Sequence, residues 1–424
     1  MTAEATHKAI EAVFRIESAK IIAGVARMVR DVGLAEELAQ DALVAALETW
    51  PAAGIPDNPA AWLMTTAKHR ALDRLRQRKL HAEKEDELTR EIEELLEEAQ
   101  PRVDANLRDD IGDDLLRLVF IACHPVLSTE ARVALTLRLL GGLATDEIAR
   151  AFLVPEPTIA QRIVRAKRTL TEARVPFEVP GTDERIERLA AVLEVLYLIF
   201  NEGYSATSGE HWTRPALCED ALRLGRILAE LAKDDSEVHG LVALMEIQAS
   251  RLPARVNAKG EPILLLDQNR ARWDQLLIRR GLAALARAES LGGALGPYAL
   301  QAAIAACHAR TLDAADTDWA RIAALYDALA ELQPSPVVEL NRAVAVSMAF
   351  GPEAGLAIVD AIVHERALAG YHLLPSVRGD LLAKLGRKAE AAKEFRRAAD
   401  MTRNERERTM LLERASAAAA RPAE

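Results

Sequence analysis

Apolar residues recur at three-to-five spacing along nearly the whole chain, and this period binds the sequence to helices. Leu34, Leu38, Ala42 and Leu47 keep it, as do Leu115, Leu118, Val119 and Ala122. Only 4% of residues are aromatic while half are hydrophobic, with Leu, Ala, Glu and Arg dominant. That palette suits stacked helices rather than β-sandwiches. At 424 residues the chain exceeds one ordinary core, so two to four domains are expected. Its longest apolar runs, such as Ala190 to Leu193 before Glu194, fall far short of the ~18 residues a membrane span needs, and no secretory leader pattern opens it. Cys123, Cys218 and Cys307 lie about ninety residues apart without a C-x-x-C pair. This excludes a disulfide framework or Cys-rich zinc site and suits a reducing cytoplasm. No membrane partner is expected.

The net charge of −10 argues at first sight against nucleic acid. Its distribution removes the objection. Residues 1–80 hold 11 Lys/Arg against 10 Asp/Glu, and residues 116–174 hold 9 against 5. Between them, residues 81–115 hold 4 against 14, which equals the whole net charge. Two near-neutral or basic modules thus flank an acidic connector, and a mildly acidic C-terminal part follows. Turn signals refine the map to 7–80, 81–112, 113–175 and 183–424.

In the first module, Trp50 to Pro59 carries three prolines and a glycine and is expected to be a loop. Asn58 caps the following helix, with Pro59 at its first position. That helix carries Lys68, Arg70, Arg74, Arg76, Arg78 and Lys79, a pattern that tracks a phosphate backbone. Trp62 could stack on a base, although a Trp at this spacing is at least as often core. The preceding helix sets an acidic cluster of Glu36, Glu37 and Asp41 beside an apolar stripe, either a solvated face or a dock for a basic protein.

In the second module, Ser128 starts one helix and Gly141-Gly142 ends it. Ala144 to Phe152, the turn Val154 to Pro157, and a helix over 158–173 then form a helix-turn-helix. Ile148, Ile159, Ile163 and Leu170 supply its buried face. Thr158, Gln161, Arg162 and Arg165 share the other face, with Lys167 and Arg168 alongside, suited to base edges and phosphates. An ordinary hairpin with a basic face remains the alternative.

Together these modules resemble regions 2 and 4 of bacterial sigma factors of the extracytoplasmic function (ECF) class. The residues that carry the likeness are Val32-Gly-Leu-Ala-Glu-Glu-Leu-Ala-Gln-Asp-Ala-Leu43 and Asn58-Pro-Ala-Ala-Trp-Leu63. In the second module they are Thr145-Asp-Glu-Ile-Ala149 and Val154-Pro-Glu-Pro-Thr-Ile159, with Arg162, Arg165, Ala166 and Lys167. The C-terminal part resembles the TPR-like extension of one ECF subgroup through Tyr197-Leu-Ile-Phe-Asn-Glu-Gly-Tyr204, Leu265 to Trp273 and Pro334 to Arg342.

The resemblance implies an all-α fold: a region 2 domain (7–80), an acidic linker (81–112), a region 4 helix-turn-helix domain (113–175) and a helical TPR-like extension (183–424). It implies that Asp31, Glu36, Glu37, Gln40 and Asp41 contact the β′ clamp helices of core RNA polymerase, with the β flap as a further partner. Asp57, Asn58, Trp62, Lys68, Arg70, Arg74 and Arg76 would serve the −10 element, where an extruded base needs a pocket and a cationic wall. Thr158, Gln161, Arg162, Arg165, Lys167 and Arg168 would serve the −35 element. Pro157 is unusual where small or polar residues are common, but can occupy a helix's first turn. The linker would lie in a polymerase channel.

The extension would regulate activity internally, its groove open to a protein or peptide regulator. Gly379, Ala391, Phe395 and Ala398 fit a 34-residue helical repeat, with Ala345 and Ala357 one period earlier and Tyr326 and Pro334 before that. A generic hairpin array is the alternative. Asp267, Gln268, Arg270 and Trp273 would either pin the extension to a neighbour or simply cap a buried helix start. A stand-alone helix-turn-helix regulator with a TPR-like sensor competes with the sigma reading, but has no use for the helices of the first module. No P-loop, H-E-x-x-H, G-x-S-x-G or clustered His/Cys set occurs. His124, His211, His308 and His372 are scattered, so neither enzymatic activity nor a cofactor or metal is expected.

Overall fold

The computed structural model describes residues 3–81, 107–152, 154–205, 208–209 and 212–419. Most of the acidic linker and His211 lie outside the described residues, as do the side chains of Arg78 and Lys79. The chain divides into two compact units, Met1–Leu196 and Tyr197–Glu424. Among the described residues it is all-α apart from one two-residue parallel pairing and a single antiparallel bridge between Val256 and Pro262.

The first unit holds α1 (Ala3–Val29), α2 (Val32–Ala53), α3 (Pro59–His81), α4 (Leu107–Ala122), α5 (Thr129–Leu139), α6 (Thr145–Phe152) and α7 (Glu156–Glu172). The start of α8 (Thr182–Tyr204) belongs to it too. Local chemistry explains the boundaries. The Asp31 carboxylate accepts from the Leu34 amide (2.8 Å) and caps α2, and Asn58 Oδ1 accepts from the Ala61 amide (3.1 Å) ahead of Pro59. Ser128 Oγ accepts from the Ala131 amide to start α5. Each cap satisfies a donor that the first helical turn leaves orphaned.

The expected loop at 50–59 is shorter than the sequence suggests, because α2 continues to Ala53. Pro51 forfeits one helical hydrogen bond, but Trp50 is only 1% exposed and anchors the last turn. The helix stops at Gly54, whose φ of +88° favours glycine. Similarly α7 begins at Glu156, so Pro157 sits in its first turn, where no intrahelical donor is required. Ile148, Ile159, Ile163 and Leu170 are all buried, as the helix-turn-helix demands.

The second unit continues with α9 (Pro215–Leu231), α10 (Ser236–Ala249), α11 (Gln275–Ser290), α12 (Pro297–Ala309), α13 (Trp319–Leu332), α14 (Pro336–Phe350), α15 (Pro352–Ile362), α16 (Leu373–Lys384), α17 (Lys388–Met401) and α18 (Glu405–Ala419). Neighbouring helices pack as successive hairpins around cores such as that of Leu340, Val359, Leu381 and Phe395. Strand β1 (Ser208–Gly209) pairs in parallel with β2 (Arg403–Asn404), so the first loop of the array is tied to its last.

The expected period of 34 is not the observed one. The second helices of the last two hairpins start at Pro352 and Lys388, thirty-six residues apart. Gly355 and Val359, both buried, therefore hold the places of Ala391 and Phe395, whereas Ala357 is exposed. Gly379 keeps its expected role, since a Cβ there would lie 2.9 Å from the Phe395 ring.

Close backbone approach fixes another hairpin. A Cβ on Gly240 of α10 would stand 2.6 Å from the Ala299 amide nitrogen of α12. Overpacking against backbone cannot be relieved by a rotamer change, so Gly240→Ala is expected to destabilise the protein by about 1–3 kcal/mol, read by chemical denaturation. An unchanged midpoint would contradict this packing.

Candidate nucleic-acid interface

The α7 helix turns Ile159, Ile163, Ala166 and Leu170 inward. This leaves Gln161, Val164, Arg165 and Arg168 exposed along one face, the width an α-helix presents to a major groove. Gln161 and Arg165 have no side-chain partner among the described residues. Arg168 pairs with Glu172 (2.6 Å) at the surface, while Thr158 and Arg162 are half-buried at the helix start. Arg162 lies close enough to Glu130 to help hold that carboxyl below its usual range, after the hydrogen bonds from its own backbone and from Ser128.

Lys167 departs from the expectation. Its ammonium turns away from the exposed face and pairs with Glu36 of α2. Glu36, expected on a solvated acidic face, is only 4% exposed. Its carboxylate also accepts from Arg138 Nε of α5 (2.6 Å) and Gln40 Nε2 (2.8 Å). The physical reason is desolvation: a carboxylate under this cover needs opposite charge and donors close by. Arg138 in addition donates to the Leu143 carbonyl (3.1 Å), so one guanidinium bridges the two modules.

Further contacts join the same modules. Buried Asp114 of α4 accepts from Arg117 (2.6 Å) and faces Arg27 of α1 (3.6 Å). Arg15 of α1 meets Glu147 of α6 (3.4 Å). Gly142 has a φ of +69°, and a Cβ on it would lie 3.0 Å from the Arg15 carbonyl oxygen. Sequence reasoning missed Arg138, Arg27 and Asp114. A cation in the last turn of an amphipathic helix signals little more than a favourable dipole.

The other expected polymerase contacts divide. Asp31 caps α2, Gln40 bonds Glu36, and Asp41 pairs with Arg70 of α3 (3.4 Å). Glu37 is exposed and has no partner among the described residues. Of the expected −10 residues, Asp57, Arg74 and Arg76 are exposed, Arg76 beside Asp73 (3.3 Å). Asn58 is exposed but engaged as the α3 cap, and Lys68 is half-buried. Trp62 is half-buried too, its ring edge-on to Trp50 at 5.3 Å between centroids. It is therefore part of the region's core wall while keeping one surface open.

In the extension, Asp267 is exposed but Gln268, Arg270 and Trp273 are buried. Arg270 donates to the carbonyls of His308 (2.9 Å), Thr311 and Asp313 and to the hydroxyl of Thr317 (2.9 Å). It stitches the end of α12 to the loop before α11. Among the described residues no group of three His, Cys, Asp or Glu could hold a metal ion, and no helix is long and apolar enough to cross a membrane.

If Glu36 is replaced by Ala, Arg138 and Lys167 face each other without a counter-charge. The contact between α2 and α5–α7 should weaken by about 3 kcal/mol, seen as faster amide hydrogen exchange in α5 and α7. Exchange unchanged from the wild type would rule out the clasp.

Known families match this layout. The sigma-70 region 2 model matches residues 14–81 and the sigma-70 region 4 model residues 117–170. A family of unknown function, DUF6596, matches residues 188–289. An uncharacterised protein of Rhizobium meliloti is 44% identical over 94% of this chain and 93% of its own length. The ECF RNA polymerase sigma factor SigK of Mycobacterium ulcerans is 31% identical over 34% of this chain and 75% of its own length. The probable ECF sigma factor SigI of Mycobacterium tuberculosis is 25% identical over 42% of the chain and 60% of its own length. No solved structure matches. With both sigma regions in order and a SigK-like relative spanned over three quarters of its length, the chain belongs to the ECF RNA polymerase sigma factors, which are non-catalytic initiation subunits.

Proposed function

We propose that the chain binds core RNA polymerase through region 2 and directs it to promoters, α3 serving the −10 element and α7 the −35 element. The observation that carries this reading is the pairing of two cationic helices, each with one face buried and the other open. Arg74 and Arg76 extend from α3 and Gln161 and Arg165 from α7. Exposed cations contribute salt-dependent phosphate affinity, and the polar residues near the start of α7 suit base edges. A lone helix-turn-helix regulator would leave α3 and its cations without a task.

In this reading Glu37 is the clean polymerase contact of α2, because Glu36 and Asp41 are spent on internal cations. The clasp at Glu36 is then the resting arrangement of free sigma, and polymerase engages region 2 as regions 2 and 4 part. The acidic linker serves a polymerase channel, where negative charge stands in for nucleic acid. The extension tunes the activity, its hairpin array offering a surface for a protein or peptide regulator.

Transcription reconstituted with core polymerase, comparing the full chain with residues 1–176, tests both parts. Core-dependent transcripts are expected, with yield or regulation altered by the truncation. No transcripts from any promoter pool would overturn the sigma reading, and identical behaviour of both chains would overturn the regulatory one. Arg162→Ala with Arg165→Ala should reduce −35-dependent affinity and flatten its salt dependence. Unaltered binding by the double variant would reject α7 as the reading helix.

A further inference from the structure

The segment that matches the family of unknown function contains an unusual concentration of covered positive charge. Arg251 and Arg255 follow α10 in the irregular stretch that precedes α11. Arg255 is held at the base of a small turn: its carbonyl accepts from the Ile263 amide (2.8 Å), and Val256 bridges Pro262. Its guanidinium carbon lies 3.8 Å from the Tyr204 ring centroid and 5.7 Å from that of Trp212. Arg251 stands 5.8 Å from Tyr204 and 5.5 Å from Trp273, whose other neighbour is Arg270 at 5.2 Å. Three guanidiniums thus share one aromatic cluster.

Their charges are not balanced alike. Arg270 is bonded to carbonyls at the end of α12, the negative pole of that helix. Arg251 donates only to Gln268 Oε1, at 3.4 Å. Arg255 is 8% exposed and makes no side-chain hydrogen bond among the described residues. Its Nε is sealed without an acceptor, while its terminal nitrogens keep contact with solvent. No described carboxylate forms an ion pair with any of the three. The sealed Tyr204 hydroxyl and Trp273 indole N–H also lack partners among the described residues.

A cation–π contact offsets only part of what it costs to draw a guanidinium out of water, so stacking leaves the sealed side of Arg255 without an acceptor. A planar fork with free donors, stacked on one aromatic ring and flanked by another, matches an oxyanion bound in the guanidinium plane. The same positive field appears at His308, whose pKa is pushed down to about 4, by burial first and then by Arg251 and Arg270.

We propose that Arg255 and Arg251, with Tyr204 and Trp212, form a binding site for a small organic oxyanion, a carboxylate or a phosphate monoester. The anion would take the open donors of Arg255 and the free end of Arg251, with its apolar part against Trp212. The inference uses residues of the extension alone, so it stands or falls separately from the sigma reading.

The test is calorimetric and thermal-shift titration of the full chain, without polymerase or DNA. Inorganic phosphate and citrate are the two probes, and sodium chloride at matched ionic strength is the reference. A saturable rise in unfolding temperature with accompanying binding heat is expected for at least one probe, and phosphate against citrate tells the two oxyanions apart. Arg255→Gln should weaken that probe at least tenfold. If Arg255→Gln fails to fold, Arg255→Lys keeps the charge, loses the fork and should weaken binding severalfold. No saturable effect from either probe would overturn the proposal. Equal binding by the folded variant would overturn it as well.

Discussion

One buried carboxylate organises the first unit. Glu36 sits on α2 with almost no solvent around it, and the groups that compensate it come from three helices: Gln40 from its own, Arg138 from α5 and Lys167 from α7. Desolvating the three charges is costly, so the arrangement persists only with all partners in place. It therefore specifies geometry more than it adds stability. It fixes which side of α7 faces region 2, and so which side faces outward. Lys167 turned inward leaves Gln161, Arg165 and Arg168 as the exposed row. The second contact line, through Asp114, Arg27 and the glycine turn at Gly142, holds α1 against region 4 independently.

This dependence marks where the sequence was legible. Caps at Asn58 and Ser128, the buried face of the helix-turn-helix and the acceptability of Pro157 follow from local chemistry, and each appears where the spacing requires it. Periodicity also separates exposed Glu37 from the apolar stripe. It cannot assign Glu36, because a carboxylate at the edge of a stripe is solvated or buried according to what another element brings to it, and Arg138 lies a hundred residues away. Asp41 and Arg70 show the same limit: they read as contacts for different partners, and the fold sets them against each other. In the extension, the small-large pattern around Gly379 and Phe395 is sound. Its period is misjudged by two residues, because hairpin length depends on loops that carry no apolar signal.

The extension follows different physics. Its hairpins rest on apolar cores and on close approaches such as Gly240 to Ala299, with β1 and β2 tying its ends together. Against that conventional background, Arg251 and Arg255 stand out, since they are covered without a counter-charge among the described residues, which guanidiniums rarely are. A ligand that supplies the missing charge would stabilise the folded array by mass action. The sequence showed the irregular stretch from Arg251 to Gly260 but not its function, because the aromatic partners at Tyr204 and Trp212 lie some fifty residues earlier.

In the proposed function, regions 2 and 4, held together at Glu36 in the free chain, separate when polymerase takes region 2. A distance measurement between spin labels on the exposed faces of α3, at Arg76, and α7, at Arg165, tests it most directly. The free chain should give one short, narrow distribution that lengthens and broadens in Glu36→Ala and shifts to a longer distance on adding core polymerase. A broad, long distribution in the free wild-type chain, or the same distribution with and without polymerase, would contradict it.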